Sequence, residues 1–236
     1  MQLWLCPLIA FLLGSIPFGL FIARMKGIDI RQHGSGNIGA TNVLRVVGKK
    51  HGITCLILDA LKGFIPTLLA ITLIRFVGQD TKFTFHGLLD HGYLFPAADQ
   101  WKAQSLQVLT GLLSILGHNY SPWVGFKGGK GIATSAGVLI ALAPAAVILL
   151  ILVWLITFKV SRYVSVASIV AAALLPLIII FGSWYHGKIA AGVWNKPLFV
   201  FSVVIAALAI WKHRGNIQRL KNGTENRFQP KKKSNA

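Results

Sequence analysis

The sequence predicts an all-α fold: a polytopic membrane bundle of about seven transmembrane helices, with its N-terminus outside and its C-terminus in the cytoplasm. Of the 236 residues, 54% are hydrophobic and only 13% are charged, whereas a soluble domain carries about a quarter charged residues. The apolar residues form several long runs, and most basic residues lie between them. This composition excludes a disordered chain, a collagen-like repeat and an ordinary soluble globule.

The first apolar run, Leu3 to Ala23, predicts a membrane span rather than a signal peptide. It has no basic residue before it and no A-x-A cleavage site. Arg24 and Lys26 follow the run and indicate that it ends in the cytoplasm. The stretch Gly14–Pro17 predicts a kink within the span.

Further apolar runs predict the remaining spans. Residues 78–105 separate two of these runs. They contain three Asp residues and only two basic residues, so we expect them to form an outside loop. The further runs are Ile53–Val77, Leu106–Gly117, Ile132–Phe158, Tyr163–Gly182 and Lys196–Trp211.

The number of spans depends on Pro144, which interrupts the run Ile132 to Phe158. If Pro144 marks a hairpin turn, 18 of the 24 Lys and Arg residues fall on one side. Seven helices with an inside C-terminus then follow. Each half has only about 13 residues and rises ~20 Å, against a hydrocarbon core of ~30 Å. These helices must therefore thin the bilayer, extend further than the apolar run, or remain partly re-entrant. The four basic residues outside are Lys82, Lys102, Lys188 and Lys196.

The formal net charge of +18 does not require a nucleic-acid partner. The basic residues flank apolar runs, as cytoplasmic flanks of membrane spans do, and no soluble basic domain is present. We therefore predict no nucleic acid as a partner. Cys6 and Cys55 lie inside apolar runs and offer neither a disulfide framework nor a metal site.

The first polar loop, Arg31 to Arg45, has the composition of an anion-binding turn. Gly34 and Gly36 permit backbone angles at which successive N–H groups converge on an anion. A helix starting near Asn37 would direct its N-terminus at the same point. A flexible glycine turn before a surface helix is the alternative. The helix would carry one polar stripe formed by Asn37, Thr41 and Arg45.

The second polar loop, Gly117 to Thr134, places glycines around Lys127 and Lys130. Backbone amides and two ammonium groups can therefore approach a phosphate. The loop is not a Walker A motif, because Val124 stands where its first glycine belongs and Gly131 replaces the Ser or Thr after the lysine. The alternative is a basic cytoplasmic loop with glycine for flexibility.

Two further clusters lie on the same predicted side. His213 and Asn216 are three residues apart on one helix face, and Arg219 and Glu225 follow them. Residues 162–168 open the sixth span and contain serines that could equally cap or pack a helix. These clusters add polar groups to a cytoplasmic mouth, although a histidine and arginines ending a span can also be simple interface anchors.

Asp59 and Lys62 lie three residues apart inside the second span. An intramembrane ion pair indicates a functional site or, as we favour here, a structural pair between helices. With so few carboxylates, the sequence predicts no Mg²⁺ site. It also lacks a His-x4-Asp pair, a G-x-S-x-G elbow and a zinc-ligand spacing. A metal-free, basic, glycine-lined mouth is suited to substrates that carry phosphate and a lipidic portion.

These motifs together resemble the bacterial acyl-phosphate:glycerol-3-phosphate acyltransferase family, from the first span to about Phe228. The resemblance implies a seven-helix fold and transfer of a fatty acyl group from acyl phosphate to the sn-1 hydroxyl of glycerol 3-phosphate. The products would be lysophosphatidic acid and phosphate, in the first step of phospholipid synthesis. The matching segments are Gly14–Gly19, Gly34–Asn42, Leu61–Gly63, Gly125–Thr134 and His213–Asn216.

The resemblance also implies site residues, partners and a location. No cofactor and no metal are expected. The substrates would be glycerol 3-phosphate and a long-chain acyl phosphate, and a soluble enzyme that makes acyl phosphate would be a further partner. The protein would lie in the bacterial cytoplasmic (inner) membrane, among its lipids, with the active site facing the cytoplasm. The catalytic set is Ser35, Arg45, Lys130, Ser168, His213 and Asn216. The substrate- and phosphate-binding set is Gly34, Gly36, Asn37, Thr41, Asn42, Lys127, Gly128, Gly129 and Gly131.

We expect residues 1–236 to form a single integral membrane acyltransferase domain, with 78–105 as an outside loop and 229–236 as a disordered basic tail. Two other functions stay open. An acyltransferase of the same class could use acyl-CoA as the donor. An anion transporter would use the basic loops to attract its substrate without chemistry, but the lack of internal repeats disfavours it.

Overall fold

A computed structural model describes residues 3–80 and 83–228. The predicted tail 229–236, and Lys82 of the outside set, lie outside the described residues. Helices dominate the described part, as the sequence predicts. They are α1 Leu5–Gly14, α2 Phe18–Arg24, α3 Ala40–Val46, α4 Lys49–Leu73, α5 Gln100–Asn119, α6 Ile132–Leu142, α7 Pro144–Ser161, α8 Val164–Tyr185, α9 Lys196–Lys212 and α10 Arg214–Lys221. Two short strands are β1 Ile74–Phe76 and β2 Tyr93–Phe95.

The predicted kink in the first span is a full break between α1 and α2. It frees backbone carbonyls, which must find partners where water is absent. Lys62 donates to the carbonyl oxygen of Ile16 at 2.7 Å, and the Ser121 hydroxyl donates to that of Ser15 at 2.6 Å. Side chains from α4 and from the loop after α5 therefore stabilise the break.

The segment after α4 contains a feature that the sequence does not predict, although the all-α class holds. The second span ends at Leu73 rather than Val77, because Ile74–Phe76 pairs in parallel with Tyr93–Phe95. The fold is thus helical with one small two-stranded sheet. The predicted outside loop 78–105 contains β2 and the first six residues of α5.

Helix α5 is longer than the predicted run Leu106–Gly117 because polar residues beyond both ends of that run, among them Gln104, His118 and Asn119, are helical and buried in the protein. Its buried polar side chains contact protein rather than lipid. The amide of Gln107 donates to the carbonyl oxygen of Ile74 at 2.6 Å, and the hydroxyl of Ser114 donates to that of Lys62 at 2.8 Å. A hydropathy run alone therefore understates the length of this central helix.

The run Ile132 to Phe158 breaks at Ala143, so α6 ends at Leu142 and α7 begins at Pro144, as predicted. Helix α6 packs mainly on α4 and α7 mainly on α8. The α4–α6 contact is close because it uses glycines from both helices. A Cβ on Gly63 would overlap the carbonyl of Thr134, and one on Gly137 would overlap the carbonyl of Ala60.

Four helical segments are long and apolar enough to cross a membrane, and a fifth qualifies if α9 and α10, bent by 50°, count as one. Helices α5 and α6 do not reach this criterion in the described residues, so the seven-span topology stays a prediction. Large apolar side chains along α7, such as Ile148 and Ile156, are each 64% exposed. A surface of this kind is suited to lipid contact. The four segments are Leu5–Arg24, Lys49–Leu73, Pro144–Ser161 and Val164–Tyr185.

Candidate active site

Two cavities meet beside the polar loops. The larger has a volume of about 700 Å³ and runs between α6, α7, α8 and α9, where its walls are mostly apolar. The smaller, of about 460 Å³, is lined by the glycine-rich loop and the start of α10. Five polar residues line both cavities and so mark their junction. They are Ser35, Asn37, Lys130, Asn216 and Arg219.

The first loop takes its shape from Asn42. The backbone N–H of Ser35 donates to Asn42 Oδ1 at 3.0 Å, and Asn42 Nδ2 donates to the carbonyl oxygens of His33 and Asn37 at 3.0 and 2.9 Å. Gly34 and Gly36 have φ angles of 61° and 70°, the left-handed region that the sequence predicted for them. Asn42 is 2% exposed and holds the turn that presents Ser35 at the junction.

The predicted helix start near Asn37 is wrong by three residues, because α3 begins at Ala40. Asn37 Oδ1 instead accepts a hydrogen bond from the N–H of Gly39 at 2.8 Å, which satisfies a backbone donor just ahead of the helix. The predicted polar stripe nevertheless lies along one side, because Asn37, Thr41 and Arg45 all line the larger cavity.

The second loop lies directly on the end of α5. The N–H of Gly129 donates to the carbonyl oxygen of His118 at 3.1 Å. A Cβ on Gly128 would overlap that carbonyl oxygen, and one on Gly129 would overlap the His118 ring, so both positions require glycine for close approach. From this support Lys130 donates to Asn216 Oδ1 at 2.5 Å.

The chain after α10 folds back and completes the site. Glu225 accepts hydrogen bonds from Asn216 Nδ2 at 2.6 Å, from the Ser165 hydroxyl at 2.9 Å and from Arg219 Nε at 2.8 Å. Its carboxylate thereby fixes the Asn216 amide with its oxygen toward Lys130. From the sequence, Arg219, Glu225 and the serines of residues 162–168 were named in clusters beside the site, but none of Glu225, Ser165 and Arg219 was assigned to the catalytic or binding sets. The available signal was a lone acid within a strongly basic segment.

His213 and Ser168 are buried side chains in the wall of the larger cavity. Nδ1 of His213 lies 2.8 Å from the carbonyl oxygen of Ala209. Because a carbonyl only accepts, Nδ1 carries the proton and Nε2 keeps its lone pair. The Ser168 hydroxyl lies 3.2 Å from Trp154 Nε1, which donates to it. His213 can thus act as an acceptor or base, and Ser168 can still donate its own proton.

Burial and nearby positive charges make Lys130 an unusually acidic lysine. Burial lowers the pKa of its ammonium, Glu225 raises it in part, and Arg219 and Arg45 lower it again, which brings it to about 8. Burial alone would raise the pKa of Glu225, but its hydrogen bonds from Asn216 and its other donors outweigh that effect and lower it. At neutral pH Lys130 is therefore mostly charged, and the ionised Glu225 carboxylate is hydrogen-bonded to Asn216, Ser165 and Arg219.

The structure brings nearly all the predicted residues to the two cavities. Gly34 and Gly36 line neither cavity, and their turn acts through Ser35. In the described residues no group of three or more His, Cys, Asp or Glu side chains could hold a metal ion. Besides the junction residues, Thr41, Asn42, Arg45, Gly131, Ser168 and His213 line the larger cavity. Lys127, Gly128 and Gly129 line the smaller one.

The arrangement can hold one anionic group in the basic cavity and an apolar chain in the other, with their reactive ends meeting at the junction. Five basic residues line the smaller cavity: Lys127, Lys130, Lys212, Arg214 and Arg219. Such a set neutralises phosphate oxygens. The apolar walls suit a hydrocarbon chain.

Comparison with known proteins gives a consistent result. Residues 4–223 match the family model described as glycerol-3-phosphate acyltransferase. The chain is 42% identical over 219 residues to the glycerol-3-phosphate acyltransferase of Aquifex aeolicus, covering 93% of this chain and 95% of that protein. It is 45% identical over 219 residues to the Geobacter metallireducens protein of the same name, covering 93% and 94%.

Two solved structures are similar over nearly the whole chain. Both are crystal structures of PlsY (YgiH), an integral membrane glycerol 3-phosphate acyltransferase, at 40% identity, covering 97% of this chain and 96% of that one. The glycerol 3-phosphate form has a TM-score of 0.76, and the lysophosphatidic acid form has a TM-score of 0.73.

Proposed function

The chain belongs to the glycerol-3-phosphate acyltransferase family, and from that premise we propose that it acylates glycerol 3-phosphate with acyl phosphate as the donor. The observation that carries the proposal is the junction at which a basic and an apolar cavity share five polar residues. In this assignment glycerol 3-phosphate occupies the basic cavity. The acyl chain occupies the apolar cavity, and the acyl carbonyl lies at the junction.

The reaction needs neither a metal nor a covalent intermediate on the protein. Acyl phosphate is a mixed anhydride, so the sn-1 hydroxyl oxygen of glycerol 3-phosphate can attack its carbonyl carbon directly. A C–O bond forms, the bond from the carbonyl carbon to the phosphate oxygen breaks, and the hydroxyl proton leaves. The products are lysophosphatidic acid and inorganic phosphate.

The main obstacle is electrostatic, because two phosphate-bearing anions must approach each other. Lys130, in the glycine-rich loop, and Arg45, on α3, are suited to neutralising them. Holding both substrates in the attacking geometry could contribute on the order of 7–11 kcal/mol. Ser35 and Asn216, which line the junction with Lys130, would orient phosphate and carbonyl oxygens.

Two groups can take the hydroxyl proton. Nε2 of His213 has a free lone pair and belongs to the cavity wall. The other candidate is a phosphate oxygen of the donor itself. We favour the phosphate, because no carboxylate contacts the His213 ring in the described residues to stabilise its charged form. A positioned base would add about 10²–10⁴-fold to the rate.

The proposal includes the membrane topology. Counting α1 and α2 as one span, with α4 to α9, gives seven, with the N-terminus outside and the C-terminus in the cytoplasm. Lys127, Lys130 and the basic residues after α9 would then face the cytoplasm, in agreement with the positive-inside rule. The protein would be a single-domain enzyme of the bacterial inner membrane.

The donor is tested by mixing the purified protein with glycerol 3-phosphate and one donor at a time. We expect lysophosphatidic acid and an equal amount of inorganic phosphate from palmitoyl phosphate, and no product from palmitoyl-CoA. Lysophosphatidic acid formed only from palmitoyl-CoA would overturn the donor assignment. The Lys130→Met variant serves as the matched control for spontaneous acyl transfer.

The same preparation tests the transporter alternative. Proteoliposomes are given external radiolabelled glycerol 3-phosphate without any donor. An acyltransferase should leave the lumen unlabelled. Label that accumulates inside, with no lysophosphatidic acid formed when palmitoyl phosphate is added, would overturn the enzymatic function.

A further inference from the structure

A cluster of charged and polar side chains lies buried where α4, α5 and the α1–α2 break meet. Lys62 Nζ is 2.8 Å from Asp59 Oδ1, and both side chains are at most 3% exposed. Nδ1 of His118 lies 3.6 Å from the same carboxylate oxygen, longer than a hydrogen bond but within charge–dipole reach. The sequence singled out Asp59 and Lys62, but the reaction described above uses neither.

The cluster is tied into three parts of the fold at once. Lys62 also donates to the carbonyl oxygen of Ile16 at the break between α1 and α2. Its backbone carbonyl oxygen accepts the Ser114 hydroxyl of α5 at 2.8 Å. Asp59 and His118 belong to the wall of the larger cavity. Contacts with several helices therefore fix the positions of Asp59, Lys62 and His118.

His118 connects this buried cluster to the glycine-rich loop. Gly129 lies against the Nε2 edge of its ring, and the Gly129 N–H donates to its backbone carbonyl. The loop also packs on the adjacent residue, because Gly128 lies against the Asn119 backbone, whose carbonyl oxygen accepts a hydrogen bond from Lys212 Nζ of α9 at 2.9 Å. The height of the glycine-rich loop above α5 thus depends on the His118 ring, and Lys130 follows directly after that contact.

We propose that His118, held by the Asp59–Lys62 pair, is the positioning residue that sets the glycine-rich loop for binding the phosphate of glycerol 3-phosphate. The inference rests on the proposed function. It assigns a role at the active site to the intramembrane pair that the sequence alone led us to treat as structural. A misplacement of about 1 Å can cost on the order of 10²-fold in rate, so a shift of this loop should be measurable.

The loop connection predicts non-additive kinetics. Gly129→Ala introduces a methyl group that overlaps the ring, and His118→Ala removes the ring. Each single variant should raise KM for glycerol 3-phosphate about tenfold or more, and leave KM for palmitoyl phosphate within about twofold. In the double variant the methyl group finds space, so its KM should not exceed that of the worse single variant.

The pair is tested with Asp59→Asn combined with Lys62→Gln, which leaves no unpaired buried charge. We expect the same selective rise in KM for glycerol 3-phosphate. His118→Gln, close in volume and able to donate toward Asp59, should recover most of the loss seen with His118→Ala. The matched controls are His86→Ala, an exposed histidine, and Gly182→Ala, where an added Cβ meets nothing.

Each outcome separates this inference from the proposed function. If wild-type protein forms no lysophosphatidic acid from either donor, the proposed function itself fails. If wild-type protein is active, multiplicative effects of Gly129→Ala and His118→Ala would overturn the positioning role. So would equal rises in both KM values, or a wild-type KM in the Asp59→Asn, Lys62→Gln variant. All variants are first compared with wild type for Tm and for a single peak in size-exclusion chromatography.

Discussion

Raising the pH should weaken the capture of glycerol 3-phosphate before it unfolds the protein, because Lys130 loses its proton near pH 8. The pKa of its ammonium is lowered to about 8, mainly by burial. A lysine is charged below its pKa and neutral above it, so the active form is lost as the pH rises through 8. The substrate phosphate, with a second pKa of ≈ 6, stays largely dianionic over this range.

The size of the effect follows from the titration. A group with a pKa of about 8 is roughly nine-tenths charged at pH 7 and roughly one-tenth charged at pH 9. If only the charged form binds the phosphate, kcat/KM for glycerol 3-phosphate falls about tenfold between those values. The bound phosphate stabilises the ammonium, so kcat at saturating substrate should fall at a higher pH than kcat/KM does.

Initial rates of lysophosphatidic acid formation between pH 6.5 and 9.5 provide the assay, with blanks for hydrolysis of the donor. Lys130→Arg keeps its charge throughout, so its profile should be flat at a lower rate. Lys130→Met should also be flat, with kcat lower by on the order of 10²–10³-fold. An alkaline limb near pH 8 that persists in Lys130→Arg would show that another group titrates, and would refute the reasoning.

Three further predictions follow. Glu225→Gln should lower kcat/KM about tenfold or more with little change in Tm, because it frees the Asn216 amide to turn its oxygen away from Lys130; unchanged kinetics would contradict this. Gly137→Ala should destabilise the protein by about 1–3 kcal/mol through overlap with α4, seen as a lower Tm, with Gly182→Ala as the neutral control. His213→Ala should keep kcat within about tenfold of wild type if the donor phosphate is the base, and a loss of 10²–10⁴-fold would assign that role to the histidine.

The parts of the fold that local chemistry determines could be predicted from the sequence. Pro144 indicated a break because proline costs a helix a hydrogen bond and the sidedness of the basic residues favoured a turn there, whereas α4 and α8 continue through Pro66 and Pro176. The break after Gly14 was visible for similar reasons. Helix α5 was predicted too short because its polar residues resemble a loop until their buried partners are known. The pairing of β1 with β2 joins segments of only three residues, which leave no periodic signal.

The site residues likewise divide into those that local sequence indicates and those that depend on distant contacts. The place of Lys130 at the cavities could be predicted because glycines surround it, a pattern that favours phosphate binding although flexible basic loops share it. The role of Asn42 was not, because its partners lie up to twelve residues away and depend on how the turn folds. Glu225 was missed because its contact with Ser165 spans sixty residues and depends on the chain folding back after α10. Helix periodicity carries no information about such returns.

The order Lys130, Asn216, Glu225 explains how the site keeps its charge. Had Lys130 paired directly with Glu225, the two charges would neutralise each other and little attraction would remain for a phosphate. The Asn216 amide lies between them instead, accepting from the lysine at 2.5 Å and donating to the carboxylate at 2.6 Å. A neutral dipole thus fixes the lysine without discharging it. Because burial also weakens the competition from water, the retained charge acts strongly on a substrate anion.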